Sequence, residues 1–181
     1  MTDSPTDLHA LATRLVSVAD RANLTIATAE SCTGGLIAGA ITEVPGSSAV
    51  LERGFVTYSN RAKTDMLDVE PDAIAEHGAV SAEVAIQMAL GAIRHSHADL
   101  AVSVTGIAGP GGGTAAKPVG LVHMALARRG EDEIVLLAEE RLTLGDAGGR
   151  SAVRRATVRA ALQALLDVAS LPPATRESLD P

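Results

Sequence analysis

Leu24-Thr25-Ile26-Ala27-Thr28-Ala29-Glu30-Ser31-Cys32-Thr33-Gly34-Gly35, continued by Leu36-Ile37-Ala38-Gly39-Ala40-Ile41-Thr42-Glu43-Val44, is the stretch whose reading decides the fold. Residues 24–29 are a short apolar run with β-branched members, which reads as a strand. Residues 36–44 are apolar at helical spacing. A polar, glycine-bearing turn separates them. Pro45-Gly46-Ser47-Ser48 then ends the helix with residues that break regular structure.

Upstream, Leu8, Leu11, Leu15, Val18 and Ala22 recur at steps of three and four, predicting a helix over 6–22 that Asn23 terminates. Downstream, 53–59 reads as a second strand, followed by short helices over 60–67 and 71–76, with Pro71 in the first turn of the latter. Ser81 has the chemistry of an N-cap and opens a long apolar-periodic run to about His95. Strands follow over 100–104, 119–127 and 133–144, the last two joined by a hairpin-like connection at 128–132. A helix rich in Ala, Leu and Val covers 151–169. Strand and helix alternate through the first two thirds, and a hairpin closes the series. This pattern predicts a three-layer α/β/α sandwich on a mixed, mainly parallel sheet of about five strands. Residues 1–170 form a single expected domain, and the polar tail from Leu171 is expected to fray.

Composition removes several functions. The 181 residues suit one domain, and 46% hydrophobic content suits a packed core. A formal net charge of −7 argues against general affinity for nucleic acid or anionic lipid. Phe55 and Tyr58 are the only aromatics, so there is no stacking platform for single-stranded nucleic acid. The single cysteine, Cys32, excludes an internal disulfide framework and a thiolate zinc cluster. No targeting signal opens the sequence and no run reaches the ~18 apolar residues of a membrane span, so the expected compartment is the cytoplasm.

Ligands of such sheets bind beyond the carboxyl ends of the strands, and three polar turns lie there. Ser31 is either a nucleophile, with the N–H groups of Thr33 and Gly34 stabilising an oxyanion or holding a phosphate, or simply a helix cap. Tyr58 and Lys63 have the makings of a proton-transfer pair, provided burial or a neighbouring cation lowers the lysine pKa. Asn60 beside them is common turn chemistry. In 105–113 glycine fills five of nine positions. A dinucleotide fingerprint needs a helix next, whereas Lys117-Pro118-Val119-Gly120 and a strand follow; no Gly-Lys-Ser/Thr phosphate loop is present either. The loop is therefore read as backbone that approaches a ligand or another segment closely. Cys32 reads as a small buried thiol. The histidines lack metal-ligand spacing. Arg150, Arg154, Arg155 and Arg159 give the last helix a basic side that is mostly solvated, with Arg150 near enough to the helix start to reach an anion.

Six motifs in order then carry a resemblance: Thr28-Ala29-Glu30-Ser31-Cys32-Thr33-Gly34-Gly35, Val44-Pro45-Gly46-Ser47-Ser48, Tyr58-Ser59-Asn60 with Lys63, His77-Gly78-Ala79-Val80-Ser81, Val104-Thr105-Gly106-Ile107-Ala108-Gly109-Pro110-Gly111-Gly112 and Lys117-Pro118-Val119-Gly120. Over residues 8–166 the sequence resembles the C-terminal domain of competence/damage-inducible protein A, a family that includes stand-alone nicotinamide-nucleotide amidohydrolases. The resemblance implies hydrolysis of the carboxamide of nicotinamide mononucleotide to nicotinate mononucleotide and ammonia, in pyridine-nucleotide recycling. It implies Ser31, Tyr58 and Lys63 as catalytic residues. It implies substrate contacts at Thr33, Gly34, Asn60, Thr105, Gly106, Gly109, Gly111 and Arg150. Ser31 attacks the amide, or else orients an attacking water; Lys63 takes the proton; Tyr58 relays it or donates to the oxyanion. Neither metal nor cofactor is called for. The substrate is a small nucleotide, and a homo-oligomer is expected, with a dimer favoured. Asp146-Ala147-Gly148-Gly149 is longer than the family's usual link, which displaces Arg150 by about a helical turn. The other classes open on the residues are a nucleotide-sensing module without turnover and a partner protein serving DNA uptake.

Overall fold

The computed structural model describes residues 5–172; the end of the tail expected to fray, 173–181, lies outside the described residues. The elements run α1 (Pro5–Arg21), β1 (Ile26–Glu30), α2 (Leu36–Thr42), a 3-10 turn (Ser47–Ala49), β2 (Leu51–Val56), α3 (Asn60–Leu67), α4 (Pro71–His77), α5 (Ala82–Arg94), β3 (Leu100–Gly106), β4 (Leu121–Arg129), β5 (Ile134–Thr143) and α6 (Gly149–Ala169). One five-stranded sheet has the order β2-β1-β3-β4-β5. β2, β1 and β3 are parallel, while β4 is antiparallel to both of its neighbours. The expected three-layer sandwich and mixed sheet are what the chain forms.

Two apolar clusters fill the space on either side of the sheet. One joins α1, α2 and α6 through Leu15, Ile37, Ile41, Val158 and Leu162 to Ile26, Val102 and Val122. The other packs α5 through Val84, Met88 and Ile93 against Ala27, Ala29, Ala101 and Ala125. Alanines on that side of the strands compensate for the missing aromatics by letting the helix sit close. Every residue of β1 is buried, as a central parallel strand requires. From β1 the chain goes to β2 on one side through α2, then returns across β1 to β3 on its other side. β1 is thus the switch point of the sheet, and its carboxyl end opens onto the crevice where such sheets bind ligands.

At that end stands Glu30, fully buried. Its carboxylate accepts from the backbone N–H of Gly35 (3.0 Å), Ile37 (3.0 Å) and Ala38 (2.9 Å), and from Thr28 Oγ1 (3.1 Å). These are donors that a helix start leaves without intrahelical partners. Gly35, at the N-cap position with φ 94°, has no side chain to serve them. The reading of Ser31 or Thr33 as a plain cap is therefore corrected: Glu30 satisfies the helix start from below, and neither hydroxyl takes part. Boundaries shift elsewhere for local reasons. β2 stops at Val56 because Ser59 caps α3, its Oγ accepting from Ala62 N–H at 3.0 Å. The β4–β5 connection is shorter than read, 130–133 in place of 128–132, and β4 starts at Leu121; Gly130 N–H closes the turn onto Glu133 C=O at 2.8 Å.

Glu30→Gln leaves one acceptor oxygen and turns an NH2 toward backbone donors. Hydrogen bonds to a charged group contribute about 1.5–3 kcal/mol each, so the variant is expected to lose about 2–4 kcal/mol of unfolding free energy in urea while retaining its far-UV spectrum. A loss below about 1 kcal/mol would contradict this role for Glu30.

Candidate active site

Three chain segments meet beyond the carboxyl ends of β1, β2 and β3. Ser31 follows β1 and is tied to β3 by its N–H, which donates to Val104 C=O at 3.0 Å. Thr57 follows β2 and is tied to β1 by its N–H, which donates to Glu30 C=O at 2.9 Å. Lys63, on α3, is 1% exposed, and its Nζ donates to Ser31 Oγ at 3.0 Å and to Thr57 C=O at 2.8 Å. A hydroxyl and a carbonyl hold this amine, and neither is an anion. Burial therefore dominates and pushes the Lys63 pKa down to about 8. Near neutral pH a useful fraction of Lys63 is a free amine lying on the Ser31 hydroxyl.

Cys32 next to Ser31 takes no such form. Burial pushes its thiol up to about 11, so it stays protonated and packs as a small apolar group. Ser31 sits in a turn ahead of α2, which begins at Leu36. Gly34 N–H closes that turn onto Ser31 C=O at 3.1 Å, with Gly34 at φ 61°. Thr33 is buried, and its Oγ1 has no hydrogen-bond partner among the described residues.

Tyr58 departs from expectation. Its side chain is 61% exposed, and its hydroxyl accepts from Arg150 Nη2 rather than meeting Ser31 or Lys63. It leaves the sheet just past the strand end and points outward, while Thr57 and Lys63 turn inward. Arg150 reaches the site despite the long link before it, because α6 begins at Gly149, two residues earlier than read. Its Nη1 donates to Gly109 C=O at 2.8 Å, so one guanidinium joins α6, the glycine-rich loop and the end of β2. Gly109 has φ 80°, and a Cβ there would lie 2.7 Å from Val119 Cγ1. Asn60 is an exposed first residue of α3.

Thr105 is buried and donates to Ala79 C=O at 2.6 Å, fastening residues 78–81 to β3. Gly106 has no room for a side chain within the sheet. It is paired with Val122 in the sheet, and a Cβ would lie 2.6 Å from Val122 Cγ2. Gly111 is exposed and lines an open cavity of about 590 Å3 with Pro110, Thr114, Thr143 and Asp146. Neither Ser31 nor Lys63 lines that cavity.

The sequence reading passed over two cations here. Arg154, one turn beyond Arg150, was counted with the solvated side of the helix; its Nη2 donates to Thr33 C=O at 2.7 Å. Their spacing of four on α6 was the available signal. Lys117 donates to His77 C=O and to Val80 C=O (2.7 Å), closing the glycine-rich loop onto residues 77–81.

Residues 8–169 match the model of the CinA C-terminal domain. The chain belongs to that family. The nicotinamide-nucleotide amidohydrolase PncC of Escherichia coli K12 is 48% identical over 166 residues, covering 91% of this chain and 95% of that protein. A CinA-like protein of Geobacter sp. strain M21 is 62% identical over 117 residues, 65% of this chain; the match spans only 28% of that longer relative. Among solved structures, the competence/damage inducible protein CihA of Agrobacterium tumefaciens is 51% identical with a TM-score of 0.84, over 92% of this chain and 98% of that one. As a CinA C-terminal domain the chain shares the α/β/α fold of these structures. Among the described residues no group of His, Cys, Asp and Glu is arranged to hold a metal, and no helix is long and apolar enough to cross a membrane.

The depressed Lys63 pKa has a consequence for stability. The unfolded chain binds this proton up to about pH 10.4, the folded chain only up to about 8, so the unfolded state holds more protons between those values. Stability relative to Lys63→Met should therefore rise with pH from about 8 to 10 and be flat below 7, read by urea unfolding of both proteins. A difference that is independent of pH across that window would place the Lys63 pKa at its ordinary value.

Proposed function

We propose that the chain hydrolyses the carboxamide of a nicotinamide nucleotide, nicotinamide mononucleotide by preference, to the nicotinate nucleotide and ammonia. The observation that carries this reading is the buried Lys63 amine 3.0 Å from Ser31 Oγ, with a pKa near 8. The identity with a nicotinamide-nucleotide amidohydrolase over nearly the whole chain supports it. A module that only senses a nucleotide, or only docks a partner, has no need of a desolvated amine on a hydroxyl.

Lys63 takes the proton from Ser31 Oγ as that oxygen bonds to the amide carbon. The carbonyl oxygen becomes an oxyanion over the turn 31–35, beyond the end of β1. The Lys63 ammonium returns the proton to the departing nitrogen, the C–N bond breaks and ammonia leaves. Water then attacks the Ser31 ester, Lys63 again taking a proton, and the nicotinate nucleotide is released with Ser31 restored. Arg150, exposed and bonded to one carbonyl and one phenol, has donors left for the substrate's phosphate, and Tyr58 offers its ring and hydroxyl at the same rim. On this reading the reaction belongs to pyridine-nucleotide recycling, and the cytoplasm is the compartment proposed for it. A homodimer is the favoured assembly, supported by the exposed Leu36, Val56, Tyr58 and Met66 near edge strand β2.

Purified protein should release ammonia and nicotinate mononucleotide from nicotinamide mononucleotide, with kcat/KM rising through about pH 8 as Lys63 loses its proton. Ser31→Ala and Lys63→Arg should each lose at least ~10³-fold in kcat, since arginine keeps charge but cannot deprotonate. Free nicotinamide as the product would signal cleavage of the ribosyl bond and refute the amidase reading. Full activity in Lys63→Arg would remove Lys63 as the base.

A further inference from the structure

We propose that Arg154 is a positioning residue for this reaction: from α6 it holds the turn 31–35 so that Ser31 Oγ stays on Lys63 Nζ. The inference rests on the amidase reading and adds a residue to it. Arg154 Nη2 donates to Thr33 C=O at 2.7 Å, and Thr33 is fully buried, so its carbonyl has no water to turn to. The guanidinium lies against the turn, since a Cβ built on Gly34 would be 3.5 Å from Nη2. Lys63 grips the same turn through Ser31 Oγ from α3, which packs against α5 in the opposite layer. Lys63 and Arg154 each lower the Cys32 pKa against the larger effect of burial. Residues 31–34 are thus held from both faces of the sheet.

Arg154 also keeps a buried Nε with no hydrogen-bond partner among the described residues, and Thr33 Oγ1 is in the same condition. Unmade bonds at buried atoms are costly and rare. A guanidinium retained here under that cost is explained by what its one good bond does for the turn. The peptide plane of the Thr33 C=O also carries the Gly34 N–H, which closes the turn onto Ser31 C=O at 3.1 Å, so a plane turned by loss of Arg154 would open that closure and displace Ser31. Misplacement by about 1 Å costs on the order of 100-fold in rate.

The test compares Arg154→Ala and Arg154→Lys with wild type in steady-state ammonia release. Alongside it, the rate at which a fluorophosphonate probe labels Ser31 is read by mass spectrometry, which needs no substrate. Arg154→Ala should lose about 10–100-fold in kcat per folded molecule with KM within about threefold, label more slowly by a similar factor, and recover part of both rates with added guanidinium ion. Arg154→Lys should fall between, and it carries the same test if Arg154→Ala does not fold. A kcat and labelling rate within twofold of wild type would overturn the proposal. So would a raised KM with kcat intact, which would make Arg154 a direct substrate contact. Wild type that labels at Ser31 yet releases no ammonia would overturn the amidase reading while leaving the labelling comparison to decide the role of Arg154.

Discussion

The Glu30 carboxylate is the constraint on which the site depends. It stands at the end of the central strand, out of water, and is kept there by three backbone N–H groups and one hydroxyl. An uncompensated charge at that depth would be prohibitive. Compensation by the start of α2 gives the turn 31–35 one conformation, because the chain must curl over the carboxylate to deliver those donors. Ser31 is the first residue of that curl. Its place at the switch point follows from the topology, and its orientation follows from the buried anion beneath it.

Lys63 presents the complementary case. Glu30 is surrounded by donors suited to a charge, whereas Lys63 meets a hydroxyl and a carbonyl. The same burial that a satisfied carboxylate tolerates therefore drives the lysine toward its neutral form. The two outcomes differ because of the partners, not the depth. A base is generated where a hydroxyl awaits one, and α3, capped by Ser59 immediately after β2, is the element that brings it there.

Much of the architecture was legible because period and punctuation agree along the chain. The apolar run before Glu30, the helical spacing after Gly35 and the cap at Ser81 each predict one element, and β1, α2 and α5 form there. Ser31 and Lys63 were legible as candidates since each follows a strand end. Their contact at 3.0 Å is the one the proton-transfer reading requires, with Lys63 rather than Tyr58 as the partner of the Ser31 hydroxyl. Tyr58 was placed with Lys63 by proximity in sequence, but strand alternation turns it outward to Arg150. A side chain at Gly106 is excluded by the approach of β4. Glu30 was passed over because an acidic residue before a turn is ordinary on a surface, and its donors lie five, seven and eight residues ahead. Arg154 was hidden by a similar prior, that basic residues along a helix are solvated.

The central claim is that burial on Ser31 lowers the Lys63 pKa to about 8, so that a fraction of it is a free amine near neutral pH. The sequence contains only two lysines, Lys63 and Lys117, so the claim can be read without an enzymatic assay. Nuclear magnetic resonance of protein labelled with 13C at lysine Cε, titrated from pH 6 to 11, gives each amine its own curve. One curve should have its midpoint near 8 and vanish in Lys63→Arg. Two curves with midpoints at about 10.4 or above would contradict the account.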